Sequence, residues 1–449
     1  MILNNRTKEV NRMTDHEWGD IPSTRDLQAK SGLLALKSMV KAPGCPLEGL
    51  HTIHTSLGHD IFRLQIPKFS TVIVASPENA KRLLVTDAVS FTTRMETDPV
   101  TKLFGDGLLV LDDHRHAEVK SLLMQATPES KLEYFLQETE HSLDRTIQSW
   151  IRSQTINVNS AVRKYAWETL ENVYFNHQLS EEEKRTYFPL LMQAVHYIGP
   201  GWWLLSGKSS LPKSLLRLRH HLETLAQQAV KAPSAPVKAI DFLSQSLTDA
   251  YGESFVTDQL MTLLIAGHDT VTSLLAWSIA LLAKFPEWQK RIRKEICNEM
   301  GDSLANVRTA NQLHFLDQFI KEVLRLYPPI HSGIRTKRCP RTKESTQSLQ
   351  ERVMLSYYLL HRHENYWERP LEFDPMRWHE HFRPTPYTYL PFGAGKRFCP
   401  GATFAKLQVK WMLARLLQQA SIQANRHIPR QKMRAALEPQ RFVVEVFPI

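Results

Sequence analysis

The amino-acid sequence predicts a mainly α-helical fold with a minor β part, and three observations lead there. Apolar residues recur at helical spacing through much of the chain. Strand-like segments are short and confined to the region near the N-terminus and the last third. A long apolar run, Leu260–Ala283, stands past mid-chain with Gly267, His268, Asp269 and Thr270 at its centre. No repeat, low-complexity tract or composition break divides the 449 residues, so one domain over 1–449 is expected. Within it, 1–50 reads as an irregular polar segment and 51–449 as the unit that carries the core. With 42% hydrophobic and 9% aromatic residues, that core can be large.

Taken in order, 61–66 (IFRLQI) and 71–75 (TVIVA) are strand-like. Ser76-Pro77 opens a helix to about Val85, because proline suits a first helical position. Helical spacing covers His114–Thr127 and then Leu132–Trp150. After the long run, Pro286 opens a helix that Gly301 stops. The next helix carries Leu316, Phe319, Ile320 and Val323 and ends before Pro328-Pro329. Weak strand signals and a loop around Phe392 precede a last helix from about Pro400 to Ala420.

The balance of 56 basic and 46 acidic residues gives +10, spread without a dense Lys/Arg run, so no nucleic-acid partner is expected. Cys45, Cys297, Cys339 and Cys399 are far apart and share no CxxC spacing, which favours a reducing compartment, the cytoplasm. The N-terminal residues turn polar at once, so neither a secretory signal nor an anchor is expected. Leu260–Ala283 is long enough to span a bilayer. Its central His268, Asp269 and Thr270 would be costly there, so no membrane span is expected and the run reads as a core helix serving a site.

Phe392–Gly401, FGAGKRFCPG, is the most informative segment. Glycines 393, 395 and 401 let the backbone bend and approach a flat ligand. Cys399 lies where the loop gives way to a helix, and the positive helix end is expected to favour its thiolate. Such a thiolate can be a nucleophile, a redox switch or an iron ligand. Arg397 adds a fixed cation two residues earlier. On the long helix, Asp269 beside Thr270 can relay protons into a dry pocket, and Gly267 leaves room for a diatomic ligand. The bland alternatives are a Thr270 hydroxyl bonded back to its own helix and an Asp269 that serves a buried partner. Glu322 and Arg325, three apart, interrupt a strongly apolar helix, which favours a buried structural pair over an exposed one.

The spacing Phe392, Gly395, Arg397, Cys399, Gly401 resembles the haem-binding loop of the cytochrome P450 family, and the similarity runs from the strands near 61 to the last helix. The resemblance implies that family's fold, with haem b between the long helix and the Cys399 loop, and 51–449 as the haem-binding catalytic unit. It implies Cys399 as axial iron ligand, Phe392 and Gly393 as cofactor-binding loop residues, and Arg397 as a propionate contact. Gly267, Asp269 and Thr270 match the oxygen-activating motif, whereas His268 fills a variable slot. Glu322 and Arg325 match the Glu-x-x-Arg pair, with Arg377 in FDPMRW as the third member. His116 and Lys120, and Arg335 after the proline pair, match further propionate positions, although Lys120 stands where Arg is usual.

The activity implied is monooxygenation of a lipophilic molecule (terpenoid, fatty acid or polyketide-like) by O2, in a soluble enzyme of bacterial style. The electron donor implied is an acidic ferredoxin or flavodoxin docking on Lys396, Lys406 and Lys410. Two other classes stay open from the sequence: a haem-thiolate protein doing isomerase, dehydratase or sensor chemistry, and a haem-free thiol hydrolase. The stretch 386–410 holds no His to serve the latter. Pocket walls are expected from Phe91–Leu109, Ile198–Leu205 with Trp202 and Trp203, Leu263, Ala266 and Ile330–Ile334.

Overall fold

In the computed structural model, residues 21–24, 45–66, 69–93, 98–174, 181–198, 211–231, 238–337, 351–424 and 427–449 are described. Trp202, Trp203 and the segment 338–350 lie outside them.

The helix Glu253–Lys284 runs 32 residues through the interior and organises the largest core. It packs against the helices Val158–Tyr174, Lys213–Lys231 and Ala239–Tyr251. Its most apolar 18-residue window is 78% buried inside the protein, so its hydrophobicity serves the core. The remaining expected helices form as Asp113–Ala126, Pro286–Met300, His314–Leu326 and Ala402–Gln419. Two expectations fail. Leu132–Trp150 is not one helix but two, Glu129–Gln137 and Glu140–Ser153. Between them the Thr139 hydroxyl bonds the Leu136 carbonyl at 2.7 Å, a local side-chain bond that competes with helix continuation. Residues 46–50, expected to be irregular, are helical, because Pro46 opens a helix to Leu57 that buries Leu47, Leu50 and Ile53.

The β part is small. Strands β1 (Ile61–Ile66), β2 (Phe69–Val74), β6 (Glu351–Ser356), β5 (Ser332–Lys337) and β3 (Phe91–Thr92) form one sheet in that order. Only the β2–β6 pairing is parallel. In β1, Phe62 and Leu64 point into a small N-terminal core while Arg63 and Gln65 alternate outward, as period-2 spacing requires. A second sheet joins β4 (Thr155–Asn157), β10 (Val443–Pro448) and β7 (Ala420–Gln423), and β8 (Gln431–Met433) pairs with β9 (Leu437–Pro439).

One buried ion cluster ties the last third together. The side chains of Glu322 and Arg325 are fully buried, and the Glu322 carboxylate accepts from Arg325 Nε at 2.9 Å and Nη2 at 2.8 Å. It also accepts from Arg377 Nε at 3.2 Å, Trp378 Nε1 at 2.9 Å and the Asp374 N–H at 3.0 Å. Arg325 spends its other donors on the carbonyls of His361, Pro370 and Glu372. The linkage continues to the cysteine loop. His361 Nε2 accepts the Leu390 N–H at 2.8 Å, and the Leu390 carbonyl accepts the Gly393 N–H at 3.1 Å. Burial pushes the His361 imidazole down to about 3, so the ring is neutral and able to accept. Glu322→Ala strands two buried guanidinium groups, and a loss of about 3–5 kcal/mol is expected. Urea unfolding checks this, and a midpoint equal to wild type would refute it.

Candidate active site

The cysteine loop is held by its own backbone. The Cys399 N–H bonds the Phe392 carbonyl at 3.0 Å, and a short 3-10 turn spans Gly395–Arg397. Gly393 has φ +70° and Gly395 has φ +64°, backbone conformations that favour glycine. At Gly395 a Cβ would also stand 2.2 Å from the Leu84 carbonyl oxygen, so no side chain fits. The last helix starts at Ala402, two residues later than expected.

The thiol itself corrects one expectation. Burial raises the Cys399 pKa, and this outweighs the Gly401 N–H and the Lys120 ammonium, which lower it. The helix end alone does not make a thiolate here; a bound metal ion would. Among the described residues, no imidazole acts on this thiol, so the hydrolase alternative lacks its base.

Cations converge beside the loop. Arg397 donates to the Leu108 carbonyl at 3.1 Å, to the Leu111 carbonyl and to the Asp112 carboxylate. Arg335 donates to the Ile334 carbonyl at 2.8 Å. Lys120 spans to the loop, bonding the carbonyls of Lys396 at 2.8 Å and Phe398 at 2.7 Å. His116 is buried, and burial together with Arg397, Lys120 and Arg335 pushes its imidazole down to about 4. Arg397 is likewise lowered by burial and by Arg335, with Asp112 acting the other way. Three cations, Arg397, Arg335 and Lys120, thus crowd one place against the carboxylates of Asp112 and Asp113, and a ligand bearing carboxylates relieves the excess. The residues therefore fit haem: Arg397, Arg335, Lys120 and His116 for the propionates, Cys399 for the iron, Phe392 and Gly393 for the surrounding loop.

Along the long helix, Leu263, Ala266, Gly267 and Thr270 are the half-exposed positions between Leu260 and Leu282. Their spacing (i, i+3, i+4, i+7) makes one face that borders open space. Thr270 lies on it, with its hydroxyl bonded back to the Ala266 carbonyl at 2.8 Å. Asp269 lies on the buried side. Its carboxylate accepts from Arg163 Nη1 at 3.0 Å and from the Ala436 N–H at 3.1 Å. Arg163 also donates to Glu438, so two buried carboxylates share one guanidinium. Burial raises the Asp269 carboxyl to about 6; Arg163 opposes the rise and Glu438 adds to it. Asp269 can therefore hold a proton near neutral pH. Gly267 belongs to this half-exposed face, and a Cβ there would also meet Leu170 Cδ1 at 2.9 Å. His268 is fully buried, edge-on to Trp167 and Phe188, and is not a site ligand.

Lys396 and Lys406 are exposed, but Lys410 is not part of that face. It is buried and paired with Asp317 at 2.6 Å. Arg163, Glu438 and Asp112 were invisible in the sequence. Each is a common surface residue type, more than a hundred positions from its partner, in a stretch with no motif.

A protein-family description, cytochrome P450, matches residues 46–446. The 11-oxo-beta-amyrin 30-oxidase of Glycyrrhiza uralensis is 27% identical over 401 residues, covering 80% of this chain and 75% of that one. Secologanin synthase 2 of Catharanthus roseus is 37% identical over 174 residues, 36% of this chain and 32% of that one. The crystal structure of a cytochrome P450DA heme domain superposes with a TM-score of 0.79 at 21% identity, covering 96% of both chains. The chain belongs to the cytochrome P450 family and, as such, is a monooxygenase built around haem b.

Proposed function

We propose that this enzyme oxidises a terpenoid-like substrate, with electrons from an acidic ferredoxin or flavodoxin in a reducing, cytoplasmic setting. The half-exposed helix face carries the proposal. Leu263 and Ala266 offer apolar surface, and Thr270 is its one hydroxyl, a combination that suits a lipophilic molecule with few polar contacts. The relatives whose names give 11-oxo-beta-amyrin and secologanin support terpenoids over fatty acids or polyketides. Haem, when bound, supplies the oxygen-activating iron chemistry, with Cys399 as the side chain that ligates it.

The remaining work falls to the chain. Arg397, Arg335, Lys120 and His116 hold the cofactor's carboxylates. The apolar face orients the substrate and excludes water. Asp269, kept partly protonated by burial and by Glu438, stores a proton at its carboxyl. Thr270 Oγ1 donates to Ala266, which leaves its oxygen free to accept a hydrogen bond at the open face. The sequence keeps both the acid and the alcohol of the oxygen-activating motif, which favours oxygen insertion over isomerase, dehydratase or sensor chemistry. Exposed Lys396 and Lys406 flank Cys399 in sequence and offer charge to an acidic donor protein.

Turnover with labelled O2 is expected to place one labelled atom in a terpenoid product; label-free product would overturn the proposal. Asp269→Asn is expected to cut product formation about 100-fold with haem content intact. Wild-type turnover in that variant would remove Asp269 from proton handling. Reduction by an acidic ferredoxin should slow as salt rises, and slow further in the Lys396→Glu, Lys406→Glu double variant. A rate independent of both would exclude this docking face.

A further inference from the structure

A second cluster of ligating side chains lies in the small N-terminal core, among elements that do not carry the cysteine loop. His54 sits in the last turn of the helix Pro46–Leu57, Asp60 just before β1, and His363 in the buried segment after Leu360. Asp60 Oδ1 is 3.4 Å from His54 Nε2 and 2.8 Å from His363 Nε2. The two imidazole rings meet edge to face, 5.3 Å between centroids. One ligand atom from each of the three residues lies within 4.8 Å of the others.

We propose that His54, Asp60 and His363 form a site for a divalent transition metal, with zinc as its occupant. Two imidazole nitrogens and one carboxylate oxygen are a borderline donor set that suits Zn2+ better than Mg2+ or Ca2+. Donors about 2.0–2.1 Å from a tetrahedral ion stand about 3.3 Å apart. The His54–Asp60 separation of 3.4 Å already matches, and the His363–Asp60 contact of 2.8 Å needs to open by about half an ångström. The fourth position falls to water, since the side chains of His54 and Asp60 keep 13% and 33% of their exposure. The Asp60 carboxylate lies within contact of both imidazoles and supplies the oxygen donor of the set.

The site is preassembled but protonated. Asn365 donates its N–H to His363 Nδ1 at 3.2 Å, which leaves the neutral ring's proton on Nε2, facing Asp60. For zinc to bind, each imidazole shifts its Nε2 proton to Nδ1, the freed Nε2 lone pairs take the ion, and at His363 the Asn365 contact is surrendered. No bond to carbon changes and no electron is transferred. An occupied site staples three chain segments: the helix Pro46–Leu57, the start of β1 and the turn that follows Leu360.

The test is zinc titration of the purified haem-loaded protein, followed by absorption spectroscopy at the zinc edge. Wild type is expected to retain one zinc equivalent whose shell contains two imidazoles and oxygen donors. His54→Ala and His363→Ala should each weaken retention at least tenfold while haem content stays unchanged. A zinc shell containing sulfur, or no imidazole, would overturn the proposal even if the variants fail to fold. So would equal zinc retention in the folded double variant.

Discussion

The carboxylate of Glu322 is the fixed point on which the working end of this protein depends. Five N–H donors converge on it, from Arg325 (two), Arg377, Trp378 and Asp374. A carboxylate this buried is tolerable only because its neighbours satisfy it, and removing it would leave two cations in low dielectric. Through Arg325 it fixes His361, and through His361 the chain that leads into Phe392–Gly401. The order is therefore structural first: a buried cluster positions a loop, and the loop positions Cys399.

The site shows the opposite balance. Around Glu322 every charge has its partner, whereas around Arg397 three cations face the carboxylates of Asp112 and Asp113. Burial first, and neighbouring cations after it, lower the proton affinity of His116 and Arg397. The long helix divides its labour by face. The half-exposed stripe from Leu263 to Thr270 borders open space, while Asp269 is turned into a cluster where two carboxylates share Arg163. Burial, with Glu438 beside it and Arg163 opposing, raises the Asp269 carboxyl, and the pairing with Arg163 keeps Asp269 off the apolar face.

Much of this was legible in the sequence because it rests on local spacing. The cysteine loop, the Glu322–Arg325 pair and the long helix each declare themselves within about ten to thirty residues, and the helix limits fall close to their proline and glycine signals. What stayed hidden depends on tertiary approach. Nothing near Arg163 announces Asp269 and Glu438, and nothing near Leu84 announces that Gly395 must lack a Cβ. Lys410 was expected on an exposed face and is paired with Asp317. The thiol of Cys399 was expected to ionise at a helix end, but desolvation is the larger effect.

The most direct test is the visible spectrum of the dithionite-reduced, carbon-monoxide-bound protein, for wild type and Cys399→Ala. A strongly red-shifted Soret band in wild type that disappears in the variant is the predicted result. Its persistence without Cys399, or its absence from haem-loaded wild type, would contradict thiolate ligation at this loop.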